Sequence, residues 1–397
     1  MPDCIVAFGI DNDVLTIALN GRIDSVNAAV VEQEILKIRS ENKELNVEVD
    51  AEKLEYISSA GLRILLRLQK GEKNKILVKN TSPSVYDIFD VTGFVEIHDV
   101  KKALRKVSID GCKVIGKGGT ATVYRLDSDT IVKVFREGTP LHIIEQENAR
   151  AKNALKFGVQ TAISFDVVQV GKSLGVVYEL INSKDLLTCM EEDKSNYRKY
   201  VVEFANFVRA MHSIEVDVDR FPSSRNTMVQ YLKYLEGRFA SSEEVKKMQA
   251  LWEIVPESNH FIHGDCHVGN VMIQDNELMF IDLAANASGH PVTDMISMYF
   301  CYYFCAKYNV ENPNDVLMRS FTKEECMDIW LTFIAAYLQT EDKALILRVT
   351  EQVDAYACSR ILLAQLSYPG MFTPEAFKMM KDRVMAYVDK GIEPLCF

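Results

Sequence analysis

The sequence reads HGDCHVGN at residues 263–270 and FID at residues 280–282. Asn270 follows Asp265 by five positions, and Asp282 ends a short apolar run. A carboxylate such as that of Asp265 can take a proton from a hydroxyl group, and the oxygen atoms of Asn270 and Asp282 are hard ligands that suit Mg²⁺. These residue types in this order therefore predict a site that holds Mg-ATP beside a nucleophilic hydroxyl.

The upstream sequence contains a glycine turn between two strands. VIGKGGTATVY at residues 114–124 reads as strand, glycine turn and strand, and it contains Gly116 and Gly118. Glycine has no Cβ, so its backbone can approach phosphates closely and can adopt a positive φ. Because ordinary hairpin turns also show this pattern, the strand that follows it is the more informative feature.

That following strand, residues 130–135, carries Lys133 among β-branched and apolar residues. A buried ammonium is costly unless it is paired with an anion, and a kinase site supplies two, the ATP phosphates and a helix carboxylate. Glu147 is the predicted carboxylate because residues 141–157 have apolar side chains at helical spacing. Glu145 is the alternative, and both glutamates would also fit a solvated helix face.

Roughly residues 108–397 resemble the protein-kinase-like superfamily, and within it the aminoglycoside phosphotransferase and choline kinase branch. The branch pattern is His-Gly-Asp-x-x-x-x-Asn, then an apolar-Ile-Asp, then an Asp after a glycine-containing loop. The matching residues of this chain are His263, Gly264, Asp265, Asn270, Ile281, Asp282, Gly289 and Asp294. The resemblance implies an α+β protein-kinase-like bilobal domain, with an N-lobe at residues 108–182 and a mainly helical C-lobe with the catalytic loop at 183–397.

The resemblance also implies roles for these residues. Asp265 would orient and deprotonate the acceptor hydroxyl, while Asn270 and Asp282 would hold Mg²⁺. His263 and Asp294 would support the catalytic loop. The chain between the last two aspartates is short and lacks an Ala-Pro-Glu segment, so little of it could form a peptide-docking platform. A small-molecule hydroxyl is therefore the expected acceptor.

The nucleotide is expected in the N-lobe, with ATP phosphates near Gly116, Gly118 and the lysine–carboxylate pair. Glu179 and Ile181 lie in the segment that the resemblance assigns to the hinge, whose backbone would read the adenine edge. A plain strand end is the alternative for this segment. The third glycine of the phosphate loop is replaced by Ala121.

Residues 1–105 alternate strands and helices, which predicts a sheet covered by helices. Strands are predicted at 14–19, 45–50 and 75–79, and helices at about 25–40, 60–70 and 83–91. Three stretches are similar to the STAS domain of bacterial anti-sigma factor antagonists, namely GRID at 21–24, YISSAGLR at 56–63 and SPSVYDIFDVTGF at 82–94. The resemblance implies an α/β domain with a mixed sheet and an anti-sigma-type protein partner.

In the resembling family, a Ser or Thr at the N-terminus of the central helix is phosphorylated. Alignment of this sequence on Gly61 and Leu62 places Ser59 at that position. Ser58 stands where the family has Asp. A phosphate on Ser59 would be tolerated at a helix N-terminus but would disrupt docking of an apolar or acidic partner. The alternative is that Ser59 is an N-cap whose oxygen accepts the N–H of Leu62.

The composition fits two domains in a bacterial cytoplasm. The 397 residues are 48% apolar, enough for real cores, and the nine cysteines show no Cys-x-x-Cys pair, which argues against disulfides or a zinc ribbon. The first nine residues lack the basic start of a signal peptide, and residues 295–306 are too short to span a bilayer. A net charge of −11 disfavours nucleic acid as a partner.

These observations lead to two functional hypotheses. The first is an ATP-dependent phosphotransferase that acts on a small-molecule hydroxyl and carries a STAS regulatory domain. The alternative is a signalling protein of the anti-sigma factor antagonist type, whose kinase-like half regulates or phosphorylates the STAS domain. A nucleotide-binding pseudokinase is a third option, which the presence of Lys133, Asp265, Asn270 and Asp282 opposes.

Overall fold

The computed structural model describes residues 4–275, 277–310 and 320–397. The chain divides into two compact units, Met1–Val107 and Ser108–Phe397. One cluster of buried apolar residues forms the core of the first unit, and two clusters lie in the second. Each unit therefore has a core of its own.

The first unit contains a mixed sheet with helices. Its strands are Cys4–Asp11 (β1), Val14–Ile23 (β2), Asn46–Asp50 (β3), Leu54–Ile57 (β4), Leu77–Thr81 (β5), Asp99–Lys102 (β6) and Arg105–Lys106 (β7). Its helices are Ala28–Glu41 (α1), Ser59–Lys70 (α2), Pro83–Val91 (α3) and Phe94–Ile97 (α4). The strand order is β1-β2-β3-β5-β6, and β4 also pairs with β2. Among the described strands of this sheet, only the β1–β2 pair is antiparallel, which confirms the predicted mixed sheet.

The alternation of apolar residues along β2 explains how this sheet packs. Leu15, Ile17 and Leu19 are fully buried, because every second side chain of a strand faces the same side. Helix α1 begins at Ala28, later than the predicted residue 25. The side chains of Asp24 and Asn27 bond to nearby backbone N–H groups and form a turn before the helix.

Helix α2 is capped by Ser58 rather than Ser59. The hydroxyl of Ser58 accepts a hydrogen bond from the N–H of Gly61 at 3.4 Å, and Ser59 is the first helical residue. The alternative in which Ser59 caps the helix is therefore wrong. Ser59 is exposed, and its phosphorylation stays a prediction.

The second unit begins with an antiparallel sheet and one helix. The strands are Lys113–Lys117 (β8), Ala121–Arg125 (β9), Thr130–Phe135 (β10), Ser164–Val170 (β11) and Ser173–Glu179 (β12), and the helix is Leu141–Lys156 (α5). Within this unit the strand order is β11-β12-β10-β9-β8. The helix packs on the sheet through a small buried cluster of Ala121, Phe135, Ile144 and Val176. Ala121, in place of the third glycine, thus contributes to this core.

The rest of the second unit is mainly helical. Its helices are Leu186–Glu192 (α6), Tyr197–Met211 (α7), Ser224–Leu232 (α8), Ser242–Glu253 (α9), Val292–Met298 (α10), Cys305–Tyr308 (α11), Lys323–Leu338 (α12), Lys343–Ile361 (α13), Ala364–Ser367 (α14) and Pro374–Asp389 (α15). Its short strands are Lys184–Asp185 (β13), Phe261–Ile262 (β14), Val271–Gln274 (β15), Glu277–Phe280 (β16) and Ala287–Ser288 (β17). This arrangement confirms the predicted α+β kinase-like fold.

Aromatic side chains fill the core of the helical part. Trp252 and Trp330 are fully buried, and their indole N–H groups donate to the hydroxyls of Ser359 and Thr350 at 2.9 and 3.0 Å. Each buried indole donor is thereby satisfied. Across the described part of the chain, every helix is too short or too polar to cross a membrane.

Candidate active site

Lys133 lies between two carboxylates. Its Nζ is 2.8 Å from Oε1 of Glu147 on α5 and 2.8 Å from Oδ1 of Asp282, which follows β16. The side chains of Lys133 and Glu147 are 15% and 13% exposed, and that of Asp282 is 49% exposed. Three side chains distant in sequence therefore meet at one point, and the Asp282 carboxylate is the most open to solvent.

The charge of Lys133 is maintained by this arrangement. Burial alone would lower the pKa of Lys133, because desolvation disfavours an ammonium. The negative charges of Asp282 and Glu147 outweigh burial and raise the pKa of Lys133 above its ordinary value. Lys133 is therefore cationic. Glu147, rather than the alternative Glu145, is the α5 carboxylate in contact with it.

Helix α5 is tied to the segment after Asp282. Nη1 of Arg150 donates to the carbonyl of Ala284 at 2.9 Å, and Nδ2 of Asn286 donates to the carbonyl of Arg150 at 3.3 Å. Asp282 itself has φ +59° and ψ +59°, a left-handed conformation that Asp adopts more readily than most residues. The helix that carries Glu147 and the carboxylate of Asp282 are thus held together by several bonds.

Asp294 on α10 holds the backbone of residues 263–270, the predicted catalytic loop. Its two carboxylate oxygens accept the N–H groups of His263 at 2.8 Å and Gly264 at 2.6 Å. Nε2 of His212 is 3.0 Å from Asp294, and Nδ1 of His212 is 2.9 Å from the hydroxyl of Tyr337. Burial acts to raise the pKa of Asp294, but the hydrogen bond and charge of His212 lower it below its ordinary value. This buried carboxylate therefore remains ionised.

The ring of His263 connects the loop to the end of β16. Its Nδ1 accepts the N–H of Asp265 at 3.2 Å, and its Nε2 lies 3.1 Å from the carbonyl of Ile281. A carbonyl can only accept, so these partners assign the proton to Nε2. The structure thus gives His263 hydrogen bonds to the chain on both sides of the site.

Gly264 lies where the loop passes close to another backbone segment. Its φ is +87°, and a Cβ built on it would lie 2.1 Å from the carbonyl oxygen of Ala285. Real Cβ atoms do not approach so closely, and the left-handed conformation also favours glycine. A side chain at Gly264 would therefore displace the loop.

Asp265 presents a carboxylate that is 52% exposed. Its Oδ1 accepts the hydroxyl of Ser297 at 3.0 Å, and its Oδ2 lies 3.5 Å from Nδ2 of Asn270. Partial burial acts to raise the pKa of Asp265, but nearby charges, chiefly those of His267 and Arg360, lower it below its ordinary value. The carboxylate is therefore in the form that can accept a proton.

Arg360 on α13 contacts the backbone of the loop at residues 263–270. Its guanidinium donates to the carbonyl of Gly264 and, at 2.9 Å, to the carbonyl of Thr293. Burial lowers the pKa of Arg360, against the charges of Asp265 and Asp294. The ordinary pKa of arginine is so high that the group stays charged. The loop is thus in contact with a side chain that stays positively charged.

Asn270 and Asp282 are the residues that the sequence analysis predicts as Mg²⁺ ligands. Nδ2 of Asn270 donates to the backbone carbonyl of Asp265 at 2.9 Å, which leaves the amide oxygen for another partner. The carbonyl of Asn270 accepts the N–H of Ile281 at 2.9 Å, and this bond keeps Asp282 beside the loop. No group of three or more His, Cys, Asp and Glu that could hold a metal occurs among the described residues. Mg²⁺ commonly uses one or two protein ligands and completes its shell with phosphate and water oxygens, so these residues fit Mg²⁺.

The turn between β8 and β9 has ordinary backbone angles. The N–H of Gly118 donates to the carbonyl of Ala121 at 2.9 Å and closes the turn. Gly116 lies in β8 and Gly118 lies in the turn, and neither has a positive φ. Their remaining contribution is a backbone without side chains, which a phosphate can approach closely.

The predicted hinge lies at the end of β12. The N–H of Glu179 donates to the carbonyl of Ile163 at 2.9 Å, and the carboxylate of Glu179 accepts the N–H of Ile163 at 3.2 Å. The carbonyl of Ile181 accepts the N–H of Ser183 at 2.9 Å. Within the described ranges, the N–H of Ile181 makes no backbone hydrogen bond, so it remains a donor for a ligand.

Four further residues support the site, although the sequence analysis assigned none of them to it. His212 directly follows α7 and Arg360 lies on α13, and both are far from the loop in sequence. Ser297 follows Asp294 by three positions on α10. Arg150 follows Glu147 by three positions, so both lie on the same face of α5. That spacing is a signal from which Arg150 could have been predicted.

Comparisons with known proteins match both units. Residues 111–327 match the family model of the phosphotransferase enzyme family, and residues 6–101 match that of the Mlab, STAS domain. Among curated proteins, a putative anti-sigma factor antagonist, BtrV of Bordetella bronchiseptica, is 33% identical over 90 residues, which cover 22% of this chain and 77% of BtrV.

Similar solved structures include three phosphotransferases or kinases. ADP-bound aminoglycoside phosphotransferase APH(2″)-Ib is 16% identical, with 72% of this chain and 94% of that chain covered and a TM-score of 0.45. A ternary complex of a thermostable aminoglycoside phosphotransferase APH(4)-Ia mutant with ADP and hygromycin B is 11% identical, with coverages of 71% and 94% and a TM-score of 0.48. A choline/ethanolamine kinase family protein from Mesorhizobium loti is 15% identical, with coverages of 70% and 87% and a TM-score of 0.44.

Proposed function

The chain belongs to the phosphotransferase enzyme family and carries an N-terminal STAS domain, and we propose that it transfers the γ-phosphoryl group of ATP to a hydroxyl of a small molecule. The observation that carries this proposal is the meeting of Lys133, Glu147 and Asp282, with two contacts of 2.8 Å between side chains from distant parts of the chain. Phosphoryl transfer depends mostly on positioning and on charge stabilisation, and this cluster is suited to both.

The nucleotide would bind to the lobe that contains the antiparallel sheet. Lys133 would bind the phosphates, Glu147 would keep it in place, and the backbone at Gly116 and Gly118 would cover them. The free N–H of Ile181 supports a hinge at which the adenine edge is bound. The carbonyl of Glu179 would be the accepting group of that hinge.

The divalent ion and the base would come from the helical lobe. Asn270 and Asp282 would hold Mg²⁺, which neutralises the negative charge of the phosphates when it is bound. The acceptor oxygen would bond to the γ-phosphorus while its proton passes to the carboxylate of Asp265. His263 and Asp294 hold the backbone of the loop that carries Asp265, so the base keeps its place during transfer.

A small acceptor is favoured by the segment between Asp282 and Asp294. It contains one 3₁₀ turn, Leu283–Ala285, and the two-residue strand β17 before α10 begins. A peptide substrate needs an extended surface to dock on, and this short segment offers none. The acidic composition of the chain further disfavours nucleic acid as the acceptor.

The proposal is tested by replacing the base. Asp265→Asn should lower kcat for phosphate transfer from Mg-ATP by about 10²–10⁴-fold, the range of general-base catalysis, with little change in KM for Mg-ATP. Asp219→Asn is a matched control, because Asp219 is exposed and lies outside the site. Equal rates for the parent and Asp265→Asn, with water or any tested alcohol as acceptor, would refute the assignment.

A second function is favoured by one observation on the first unit. Ser59 is exposed at the start of α2, in a domain related to an anti-sigma factor antagonist. On this proposal the STAS domain binds an anti-sigma-type partner in the cytoplasm, and the kinase-like unit phosphorylates Ser59. Mass spectrometry after incubation with Mg-ATP should find phosphate on Ser59 and not in Ser59→Ala. Phosphate transfer to other acceptors with Ser59 unmodified would contradict self-phosphorylation.

A further inference from the structure

A hydroxyl group on α10 contacts the carboxylate that is proposed as the base. Oγ of Ser297 donates to Oδ1 of Asp265 at 3.0 Å. Ser297 follows Asp294 by three positions, so both side chains leave α10 on the same face. Asp294 holds the backbone of the loop, and Ser297 holds the carboxylate that the loop presents. One short helix therefore supports both.

The usual partner of a helical serine is occupied by another residue. Inside a helix, a serine hydroxyl commonly donates to the carbonyl four positions earlier, which here belongs to Thr293. That carbonyl accepts a hydrogen bond from Arg360 at 2.9 Å. The hydroxyl of Ser297 reaches Asp265 instead, so the bond is not an incidental by-product of helix geometry.

The two carboxylate oxygens of Asp265 have different surroundings. Oδ1 accepts a hydrogen bond from Ser297, while Oδ2 lies 3.5 Å from Nδ2 of Asn270 and 3.8 Å from Nε2 of His267. Because Asn270 is a proposed Mg²⁺ ligand, Oδ2 is the oxygen on the nucleotide side. The terminal torsion of Asp is broad, so without Ser297 the carboxylate could rotate and both oxygens could leave these positions.

We propose that Ser297 is a positioning residue for phosphoryl transfer, whose hydroxyl fixes the carboxylate of Asp265 so that Oδ2 faces the acceptor. The inference rests on the proposed function, because it takes Asp265 as the base. In the transfer step, the acceptor oxygen bonds to the γ-phosphorus, the bond to the ADP oxygen breaks, and the acceptor proton passes to Oδ2. Ser297 keeps its own proton and acts through the orientation of Asp265.

The test compares three variants with Mg-ATP as donor and water as acceptor. Ser297→Ala removes the bond and should lower kcat about tenfold, while KM for Mg-ATP should stay within about twofold. Ser297→Thr keeps a hydroxyl on the same carbon and should recover most of kcat. Thr293→Val is the matched control, because it removes a hydroxyl from the same helix that bonds to Ser224 at 3.2 Å. Its kcat should equal that of the parent, whatever its thermal stability.

Three results would overturn the inference: parental kcat in Ser297→Ala, equal slowing in Ser297→Thr, or equal slowing in Thr293→Val. Failure of the proposed function is a different result, in which Asp265→Asn turns over ATP as fast as the parent. A crystal structure of Ser297→Ala with Mg-ADP requires no turnover. It should show the Asp265 carboxylate rotated or in two orientations, and an unchanged carboxylate would count against the inference.

Discussion

Replacing Gly264 with alanine should destabilise the second unit strongly. The backbone at Gly264 has φ +87°, and an added Cβ would lie 2.1 Å from the carbonyl oxygen of Ala285 and 2.7 Å from its carbon. The left-handed conformation costs an alanine about 1–2 kcal/mol, and overpacking against fixed backbone costs roughly 1–3 kcal/mol more. We therefore expect Gly264→Ala to lower the free energy of unfolding by about 2–5 kcal/mol.

Gly158→Ala separates the two contributions. Gly158 has φ +86°, almost the same as Gly264, but a Cβ built on it meets no atom within 4 Å. Its replacement should therefore cost only the conformational part, about 1–2 kcal/mol. The difference between the two variants measures the close approach of Gly264 to Ala285.

Tryptophan fluorescence during urea unfolding is the suitable assay. The chain has two tryptophans, and both Trp252 and Trp330 are fully buried in the second unit, so the signal reports that unit alone. A two-domain protein can unfold in two steps, and this choice of probe isolates the relevant one. If Gly264→Ala is no more destabilising than Gly158→Ala, the close contact with Ala285 does not exist and the reasoning fails.

Two further predictions concern charge. Glu147→Gln should lower kcat/KM for Mg-ATP about tenfold in a steady-state assay, because Lys133 loses a charged hydrogen-bond partner. Glu145→Gln on the same helix is the control and should match the parent. Equal effects of the two substitutions would contradict the pairing of Lys133 with Glu147. Burial lowers the pKa of His290 to about 4, although a hydrogen bond to the carbonyl of Phe397 acts to raise it. The unfolded chain, in which the histidine pKa is about 6.5, therefore binds the proton at a higher pH than the folded protein does. The free energy of unfolding should consequently decrease as the pH is lowered below about 6.5. His290→Asn should flatten this fall between about pH 6.5 and 4 in urea titrations, and an unchanged pH dependence would contradict it.

The grouping of Asp265, Asn270 and Asp282 could be anticipated from sequence because the proposed chemistry requires these residue types. Asp265 and Asn270 lie five positions apart, and Asp282 closely follows the strand β16. The pairing of Lys133 with Glu147 could also be anticipated, because a lysine inside an apolar strand needs an anion. Features of this kind depend on residues that are close in sequence or on a buried charge that needs a partner. They can therefore be recognised in the sequence.

Other features leave no such trace. Arg360 contacts the loop from α13, and His212 contacts Asp294 from the end of α7. Their own neighbours in sequence do not indicate these contacts. The predicted start of α1 at residue 25 was too early, because the side chains of Asp24 and Asn27 compete for backbone groups. Strands β1 and β4 were not predicted, since their pairing with β2 is decided by the sheet rather than by local pattern.

The bonds that join α5 to the segment after Asp282 bear on inhibition by small molecules. A compound that acts by pulling α5 outward would have to break the Lys133–Glu147 ion pair and the two bonds made by Arg150 in a single event. A compound that takes the place of the proposed nucleotide would leave those three bonds intact. Drug discovery against this protein should therefore yield nucleotide-competitive compounds more readily than compounds that displace the helix.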